Sequence, residues 1–213
     1  MKNREPIQHK PFSCFSGLEL AQWSAGSWCE APPDQISGVG HDTRTLEPGM
    51  LFMAIRGPRF DGHDFVREAE KRGACAVVAD RKVDTDLPVL QVTDTTRALT
   101  DLARAYRQVW QGLVIGITGS AGKTTVKEML VAMLGKAGSV SCTPGNRNNL
   151  VGLPLSMLNA CRRDDFFVFE LGMNRPGEIA ELSDILWPDW GVITAIGPAH
   201  MDLFDTVEEV AAE

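Results

Sequence analysis

The chain has 213 residues, of which 44% are hydrophobic and 23% are charged, and its formal net charge is −7. This composition is typical of a globular protein and excludes a disordered or collagen-like chain. The acidic balance argues against a general affinity for nucleic acid or anionic membranes, because both need a surplus of Lys and Arg. No stretch approaches the ~18 apolar residues that a membrane helix needs, so no membrane insertion is expected.

The cysteines point to a reducing compartment. There are five of them, widely spaced and without a CxxC pair. This pattern favours neither a disulfide framework nor a zinc site. The polar N-terminus carries no apolar leader segment, so a cytoplasmic protein is expected.

The first half of the chain predicts short helices and strands. A helix is expected after Ser16, followed by a loop over 26–40 that is rich in Gly, Pro and Ser. The elements predicted next are strand 50–55, helix 64–72 with Phe65 and Ala69 facing inward, buried strand 74–79, strand 89–92, and a helix after the cap at 94–96. A boundary near Gly112 divides the chain into an N-terminal domain, residues 1–110, and a second domain, residues 111–213.

The second half alternates strands and helices more regularly. The predicted elements are strand 113–118, helix 124–134, strand 139–143, a long polar loop, strand 166–171, a helix from Gly177 and strand 191–196. This alternation predicts right-handed crossovers and a parallel, Rossmann-like sheet with helices on both faces. The fold class is therefore α/β, and ligands are expected at the carboxyl ends of the strands.

A glycine-rich turn joins strand 113–118 to the following helix, and residues 118–125 read Thr-Gly-Ser-Ala-Gly-Lys-Thr-Thr. This is typical of a P-loop: Gly119 and Gly122 let backbone N–H groups converge on phosphate, Lys123 adds an ammonium, and a Thr hydroxyl can bind Mg²⁺. Ile117 stands where the longer GxxxxGK spacing needs Gly, so the match is to the shorter TGxxGKTT form. The alternative is a plain glycine turn with a solvated lysine. The apolar side chains of the helix are predicted to be core: Val126, Met129, Leu130, Met133 and Leu134.

Further polar groups follow the other strands of this domain. Glu170 closes strand 166–171, where its carboxylate could hold Mg²⁺ or cap the next helix. His200 follows strand 191–196 at the same edge of the predicted sheet. The loop 143–149, Thr-Pro-Gly-Asn-Arg-Asn-Asn, could donate to a sugar, diphosphate or carboxylate, or could be a plain polar turn.

Four ordered phrases resemble the Mur ligase superfamily, and within it the MurF type. The phrases cover residues 116–125, 145–154, 170–178 and 196–200. Shorter matches at 42–44, 48–52 and 61–63 resemble the N-terminal UDP-substrate domain of that family, so the resemblance covers nearly the whole chain. It implies an ATP-dependent ligase that joins D-alanyl-D-alanine to UDP-N-acetylmuramoyl-tripeptide through an acyl phosphate.

The resemblance also implies roles for individual residues. The residues implied to bind the ATP phosphates are Gly119, Ser120, Ala121, Gly122, Lys123, Thr124 and Thr125. The implied catalytic residues are Lys123, Glu170 and His200, and the implied Mg²⁺ ligands are Thr124, Glu170 and His200. The residues implied to face the UDP substrate are Thr43, Arg44, His63, Asn146 and Asn149. For the N-terminal group, a structural turn with salt bridges is the alternative.

By the same resemblance, a further metal-site lysine, the rest of the central sheet and a C-terminal dipeptide-binding domain would follow residue 213. We therefore expect the chain to be part of a larger, monomeric ligase and to be inactive alone. Two alternatives stay open. One is a non-catalytic UDP-sugar-binding module, and the other is a different P-loop ligase or phosphotransferase, such as a folyl-type ligase.

Overall fold

A computed structural model describes residues 15–199, 201 and 203–213. Its first half forms a five-stranded sheet of order β1-β5-β4-β3-β2. The strands are β1 (Ser27–Trp28), β2 (Val39–Gly40), β3 (Leu51–Met53), β4 (Ala76–Ala79) and β5 (Val89–Gln91). The helices are α1 (Gly17–Ser24), a 3-10 turn (Gly62–Phe65), α2 (Val66–Lys71) and α3 (Thr95–Arg107). Strands β2 to β5 run parallel, whereas β1 is antiparallel to β5.

Most predicted elements of this half are confirmed, and their ends are set by recognisable caps. The Ser16 side chain begins α1 in a capping box with Glu19, and Asp94 caps α3. The loop predicted over 26–40 is wrong in part, because β1 and β2 lie within it. These two-residue strands exist through pairing with β5 and β3, which local sequence does not reveal.

The helical pattern predicts the wrong position for one side chain of this half. The pattern predicts that Phe65 faces inward with Ala69, but Phe65 is 40% exposed while Ala69 is fully buried. The reason is that Phe65 belongs to the 3-10 turn before α2, not to α2 itself. It packs edge-on against Phe60 at the surface.

The second half forms a four-stranded, entirely parallel sheet of order β7-β8-β6-β9. Its strands are β6 (Leu113–Thr118), β7 (Val140–Cys142), β8 (Phe166–Glu170) and β9 (Trp190–Ile193). The helices are α4 (Lys123–Leu134), α5 (Gly152–Leu158), α6 (Glu178–Leu186) and α7 (Val207–Ala212). The predicted parallel α/β sheet is confirmed, with β6 and β8 in its interior.

Two expectations for this half are wrong. Helix α5 lies in the stretch predicted as a polar loop, and every one of its residues is buried, so it has no amphipathic period to detect. On α4, Met129 and Met133 are 59% and 67% exposed, which contradicts their prediction as core. The helix instead packs on the sheet through a neighbouring face, which carries Val126, Leu130 and Leu134.

One hydrophobic cluster extends through both halves. It runs from Phe15 and Leu20 near the start to Leu186 at the end of α6. Helix α3 packs against α1 on one side and against α5 and α6 on the other. None of the helices in the described part of the chain is both long and apolar enough to cross a membrane.

Candidate functional site

The glycine-rich turn at the carboxyl end of β6 has the backbone geometry of a P-loop. Gly119 has φ +134° and Gly122 has φ +85°, conformations that favour glycine. A Cβ on Gly119 would also lie only 2.9 Å from the Ala195 carbonyl oxygen. Gly122 directly precedes α4, so the loop presents the helix N-terminus, and the Lys123 ammonium donates to the Gly119 carbonyl. Backbone donors, helix dipole and lysine are thus gathered where an anion would bind.

The segment after β9 holds this loop from the side. Ser120 donates its backbone N–H to the Ala195 carbonyl at 2.8 Å, and its hydroxyl donates to the Gly197 carbonyl at 3.0 Å. The Thr194 hydroxyl lies 2.6 Å from the Ala121 carbonyl and 3.2 Å from the Thr118 carbonyl. The two segments therefore hold each other in place.

Glu170 lies at the carboxyl end of β8, as the sequence predicts. The Thr124 hydroxyl donates to Glu170 Oε2 over 3.3 Å. The carboxylate is only 1% exposed, and its other oxygen, Oε1, has no hydrogen-bond partner among the described residues. Oε1 pairs instead with the ammonium of Lys127, which lies 3.4 Å away, and the Thr124 hydroxyl beside Oε2 is a donor set that Mg²⁺ accepts.

The remaining predicted metal ligand, His200, lies outside the described residues. Within the described ranges, no group of three or more His, Cys, Asp or Glu side chains is arranged to hold a metal ion. A Mg²⁺ ion at this site would therefore take Thr124 and Glu170 from this chain and complete its shell with phosphate oxygens and water, as Mg²⁺ commonly does.

Sequence reasoning missed a buried lysine beside Glu170. Lys127 on α4 is 1% exposed, and its ammonium lies 3.4 Å from Glu170 Oε1. Burial alone would lower the pKa of Lys127, but the hydrogen bond to Glu128 and the charge of Glu170 outweigh it, so the pKa is raised. The available signal is spacing: Lys127 follows Lys123 by four residues and so shares its face of the helix.

The 143–149 loop, predicted to face the substrate, begins next to Glu170. The Thr143 hydroxyl accepts from the Glu170 N–H at 2.9 Å. Asn149 uses its side-chain oxygen to cap α5, accepting from the Gly152 N–H at 2.8 Å. Asn146 is exposed at the surface.

The N-terminal residues predicted to bind substrate form two clusters. Arg44 is exposed, and its guanidinium forms an ion pair and hydrogen bonds with the Asp42 carboxylate. The side-chain hydrogen bond lowers the pKa of Asp42 to about 2. Thr43 lies between them in the same turn. His63 is instead buried, with Nδ1 2.6 Å from Asp61 and Nε2 3.1 Å from Asp80.

The first of these clusters lies near the contact between the two halves of the chain. His41, next to Asp42, has a lowered pKa because of lost hydration and the charge of Arg147, opposed by Asp42. At the same junction, Asn159 bonds both backbone groups of Val39. His63 is not part of this junction. Its contacts fix the 3-10 turn to the end of β4.

Two cavities help to locate the chemistry. One is lined by the P-loop, by Met173 and by Ile196, at the carboxyl ends of the strands. A larger one, of about 560 Å³, lies at the opposite edge, beside Gly112 and Asp165. The cavity at the carboxyl ends of the strands is smaller, but it is the better candidate for a ligand site, because the P-loop, Thr124 and Glu170 lie there.

A P-loop that opens a helix on a parallel sheet, with a buried carboxylate at the next strand end, is typical of α/β nucleotide-binding proteins. Matches to two family models identify the family of the chain. The Mur ligase middle domain matches residues 117–213, and the Mur ligase family catalytic domain matches residues 35–107. The chain belongs to the Mur ligase family.

Relatives and solved structures of the family agree. The chain is 42% identical over 176 residues to the UDP-N-acetylmuramoyl-tripeptide–D-alanyl-D-alanine ligase of Escherichia coli and 46% identical over 179 residues to that of Bacillus subtilis. Each match covers 83% of this chain and 39% of the relative. A crystal structure of MurF from Acinetobacter baumannii matches with TM-score 0.88 and 35% identity, covering 95% of this chain and 45% of that one.

A second solved structure carries a nucleotide. MurF ligase from Thermotoga maritima, in complex with ADP, matches with TM-score 0.73 and 41% identity. The match covers 82% of this chain and 41% of that one. The chain thus spans about 40% of the length of the relatives it matches, through their Mur ligase catalytic and middle domains.

Proposed function

We propose that this chain supplies the ATP site and the UDP-substrate site of a ligase that adds D-alanyl-D-alanine to UDP-N-acetylmuramoyl-tripeptide. The observation that carries the proposal is the meeting of Thr124 and Glu170 at the mouth of the P-loop, directly beside the 143–149 loop. The site thus places a phosphate-binding loop next to an amide-rich loop. To be activated by ATP, the carboxylate of the bound tripeptide must lie next to the phosphates, so the two loops must be neighbours.

The P-loop residues 119–125 would bind the ATP phosphates. Lys123, whose ammonium donates to the Gly119 carbonyl, would turn to the terminal phosphates, while Thr124 and Glu170 would hold Mg²⁺. A bound Mg²⁺ would neutralise charge on the transferring phosphoryl group. The tripeptide carboxylate would attack the γ-phosphate, giving ADP and an acyl phosphate, and the dipeptide amine would then displace phosphate to form the amide. The ADP complex of the Thermotoga maritima relative supports the nucleotide assignment.

Substrate recognition would fall to residues from both halves. Asn146 and Asn149 would face the UDP-sugar peptide, with Thr43, Arg44 and His63 toward the diphosphate end. The hydrogen bonds between Asn159 and Val39, two residues before His41, support a single substrate surface across the two halves. Because His63 is buried between two carboxylates, it would act on the diphosphate end indirectly, by fixing the 3-10 turn to the end of β4. The activity belongs to cytoplasmic peptidoglycan precursor synthesis, and His200 is proposed as a second metal ligand.

Calorimetric titration of the 213-residue chain tests this function. We expect UDP-N-acetylmuramoyl-tripeptide and Mg-ADP each to bind with one-to-one stoichiometry, since the two loops belong to separate parts of the site. Uridine alone should bind more weakly than the full substrate. A folate polyglutamate serves as the control ligand, and it should not bind.

The open alternatives give different results. Binding of the UDP substrate without nucleotide would contradict the ligase and favour a UDP-sugar-binding module. Binding of nucleotide and folate without the UDP substrate would favour a folyl-type ligase.

A further inference from the structure

Lys127 is the most deeply buried charge in the site that the proposed chemistry does not use. Its side chain is enclosed, yet its ammonium reaches two other elements. It donates to the Thr143 carbonyl at 3.0 Å and approaches the Gly145 carbonyl at 3.4 Å. It also lies 3.4 Å from Glu170 Oε1. One side chain on α4 therefore contacts both the start of the 143–149 loop and the end of β8.

The burial of the Lys127 ammonium needs a physical reason. Burying an ammonium is unfavourable, and a methionine of similar size would pack on the same apolar surface without that cost. The positive charge is compensated by Glu170 and by Glu128, whose carboxylate lies 3.1 Å away. Two backbone carbonyls complete its donor set. Elsewhere the loop is held at Thr143, which pairs with β8 through its N–H and its hydroxyl, and at Asn148, whose carbonyl accepts from the Gly172 N–H at 2.9 Å.

We propose that Lys127 is a positioning residue that ties the 143–149 loop to the P-loop helix, and so holds Asn146 and Asn149 in one placement for the substrate. This inference rests on the proposed function, because that function assigns the loop to the UDP-sugar peptide. It goes further in naming the residue that couples the loop to the nucleotide side. Lys127 itself does not contact substrate in this account.

The tie has a direct structural consequence. The loop amides make local hydrogen bonds, such as Asn148 N–H to the Asn146 carbonyl at 2.9 Å and Gly152 N–H to the Asn149 side chain at 2.8 Å. Without the ammonium, the Thr143 and Gly145 carbonyls lose that partner, and the turn between Thr143 and Asn148 becomes looser between its two remaining anchors. Amide exchange at 146–153 should then speed up, while α6 on the other side of the sheet should not change.

The test compares Lys127→Met with Lys136→Met, a matched change at an exposed lysine just beyond the same helix. Hydrogen–deuterium exchange on the 213-residue chain should show at least a tenfold faster exchange over 146–153 in Lys127→Met only. In calorimetry with EDTA present, affinity for UDP-N-acetylmuramoyl-tripeptide should fall about tenfold, the size expected for a lost charged hydrogen bond. Affinity for ADP should stay within about threefold, because the P-loop itself is intact.

Three outcomes would overturn the proposal. They are unchanged exchange over 146–153, an equal rise in exchange over 178–186, and an ADP affinity that falls as far as the substrate affinity. The last two would make Lys127 a general stabiliser.

If Lys127→Met does not fold, the double variant Lys127→Met with Glu170→Gln removes the unpaired buried carboxylate. The same exchange pattern is expected in the double variant, and the same outcomes would contradict it. If the parent chain binds no UDP substrate, the proposed function fails, whereas the exchange comparison still decides the tie.

Discussion

At the scale of residues, the site depends on two buried charges of opposite sign. Glu170 and Lys127 are each 1% exposed and lie 3.4 Å apart at the mouth of the P-loop. Neither would be stable there without the other, since an isolated buried charge costs several kcal/mol. The ammonium faces Oε1 and the Thr124 hydroxyl donates to Oε2, so both carboxylate oxygens have a partner.

Thiol titration gives a pH test at this scale. Burial raises the pKa of Cys75 and of Cys142, and for Cys142 the charge of Lys127 opposes the rise. Because the thiolate is the reactive form, alkylation of both should be slow at pH 8 and should reach half its maximal rate above the ordinary thiol pKa of about 8.5. In Lys127→Met, the midpoint of Cys142 should rise further and that of Cys75 should not. Peptide mass spectrometry distinguishes the two thiols.

A Cys142 midpoint at or below the ordinary value would contradict this description of its surroundings. So would an equal shift of Cys75 in the variant, because Cys75 directly precedes β4 of the first sheet and the charge of Lys127 is not among the causes of its raised pKa. Full unfolding in urea provides the control, since both thiols should then titrate alike.

At the scale of elements, four strand ends assemble the site. The P-loop follows β6, the 143–149 loop follows β7, Glu170 ends β8, and the Thr194 segment follows β9. Strands β6 and β9 are neighbours in the sheet, so the segment after β9 can hold the P-loop through Thr194. The parallel arrangement is what brings these segments to a single edge.

Thr194→Val tests that support. The variant keeps the shape of the side chain but removes its hydrogen bonds to the Ala121 and Thr118 carbonyls. Mg-ADP affinity measured by calorimetry should fall about three- to tenfold, because a hydrogen bond that orders a binding loop contributes about 1 kcal/mol. Thr96→Val, at an exposed position on α3, should leave affinity unchanged. Equal affinity in Thr194→Val and the parent would show that the P-loop needs no support from β9.

Sequence alone predicts the elements whose pattern is local. The apolar run and the glycines locate β6 and the P-loop to within a residue, and the apolar run at 166–171 locates Glu170 at the end of β8. Helix α5 is not predicted from the sequence because it is buried on all sides and so has no amphipathic pattern. Strand β1 is not predicted because it forms only through its pairing with β5. Lys127 escapes because a lysine on a helix is normally solvated, and only the fold reveals that its side chain is covered.

At the scale of the whole molecule, one core joins the two sheets. Tyr106 on α3 donates its hydroxyl to the Ala160 carbonyl at 2.9 Å, and Arg107 donates to the Leu186 carbonyl at 3.0 Å. Asn159 reaches back to the first sheet, where its amide accepts from the Val39 N–H at 3.0 Å and donates to the Val39 carbonyl at 2.7 Å. The division at 110/111 stays a prediction, since the continuous core leaves little to separate the two parts.

Urea unfolding tests this continuity. The parent chain should unfold in one cooperative transition, with fluorescence and circular dichroism coincident. Asn159→Ala should lower the free energy of unfolding by about 1–3 kcal/mol, the cost of leaving buried backbone groups unpaired, while Asn174→Ala at the surface should change it little. Two separate transitions in the parent chain would contradict a shared core.

The central claim is that the 119–125 loop is the ATP site of a ligase, and one titration tests it most directly. Mg-ADP is titrated into the parent chain, into Lys123→Ala and into Lys136→Ala, the last being the same change at an exposed lysine. We predict that the parent and Lys136→Ala bind alike and that Lys123→Ala loses at least about tenfold in affinity, as expected for a charged phosphate contact. Equal binding by Lys123→Ala, or no binding by the parent chain, would contradict the account.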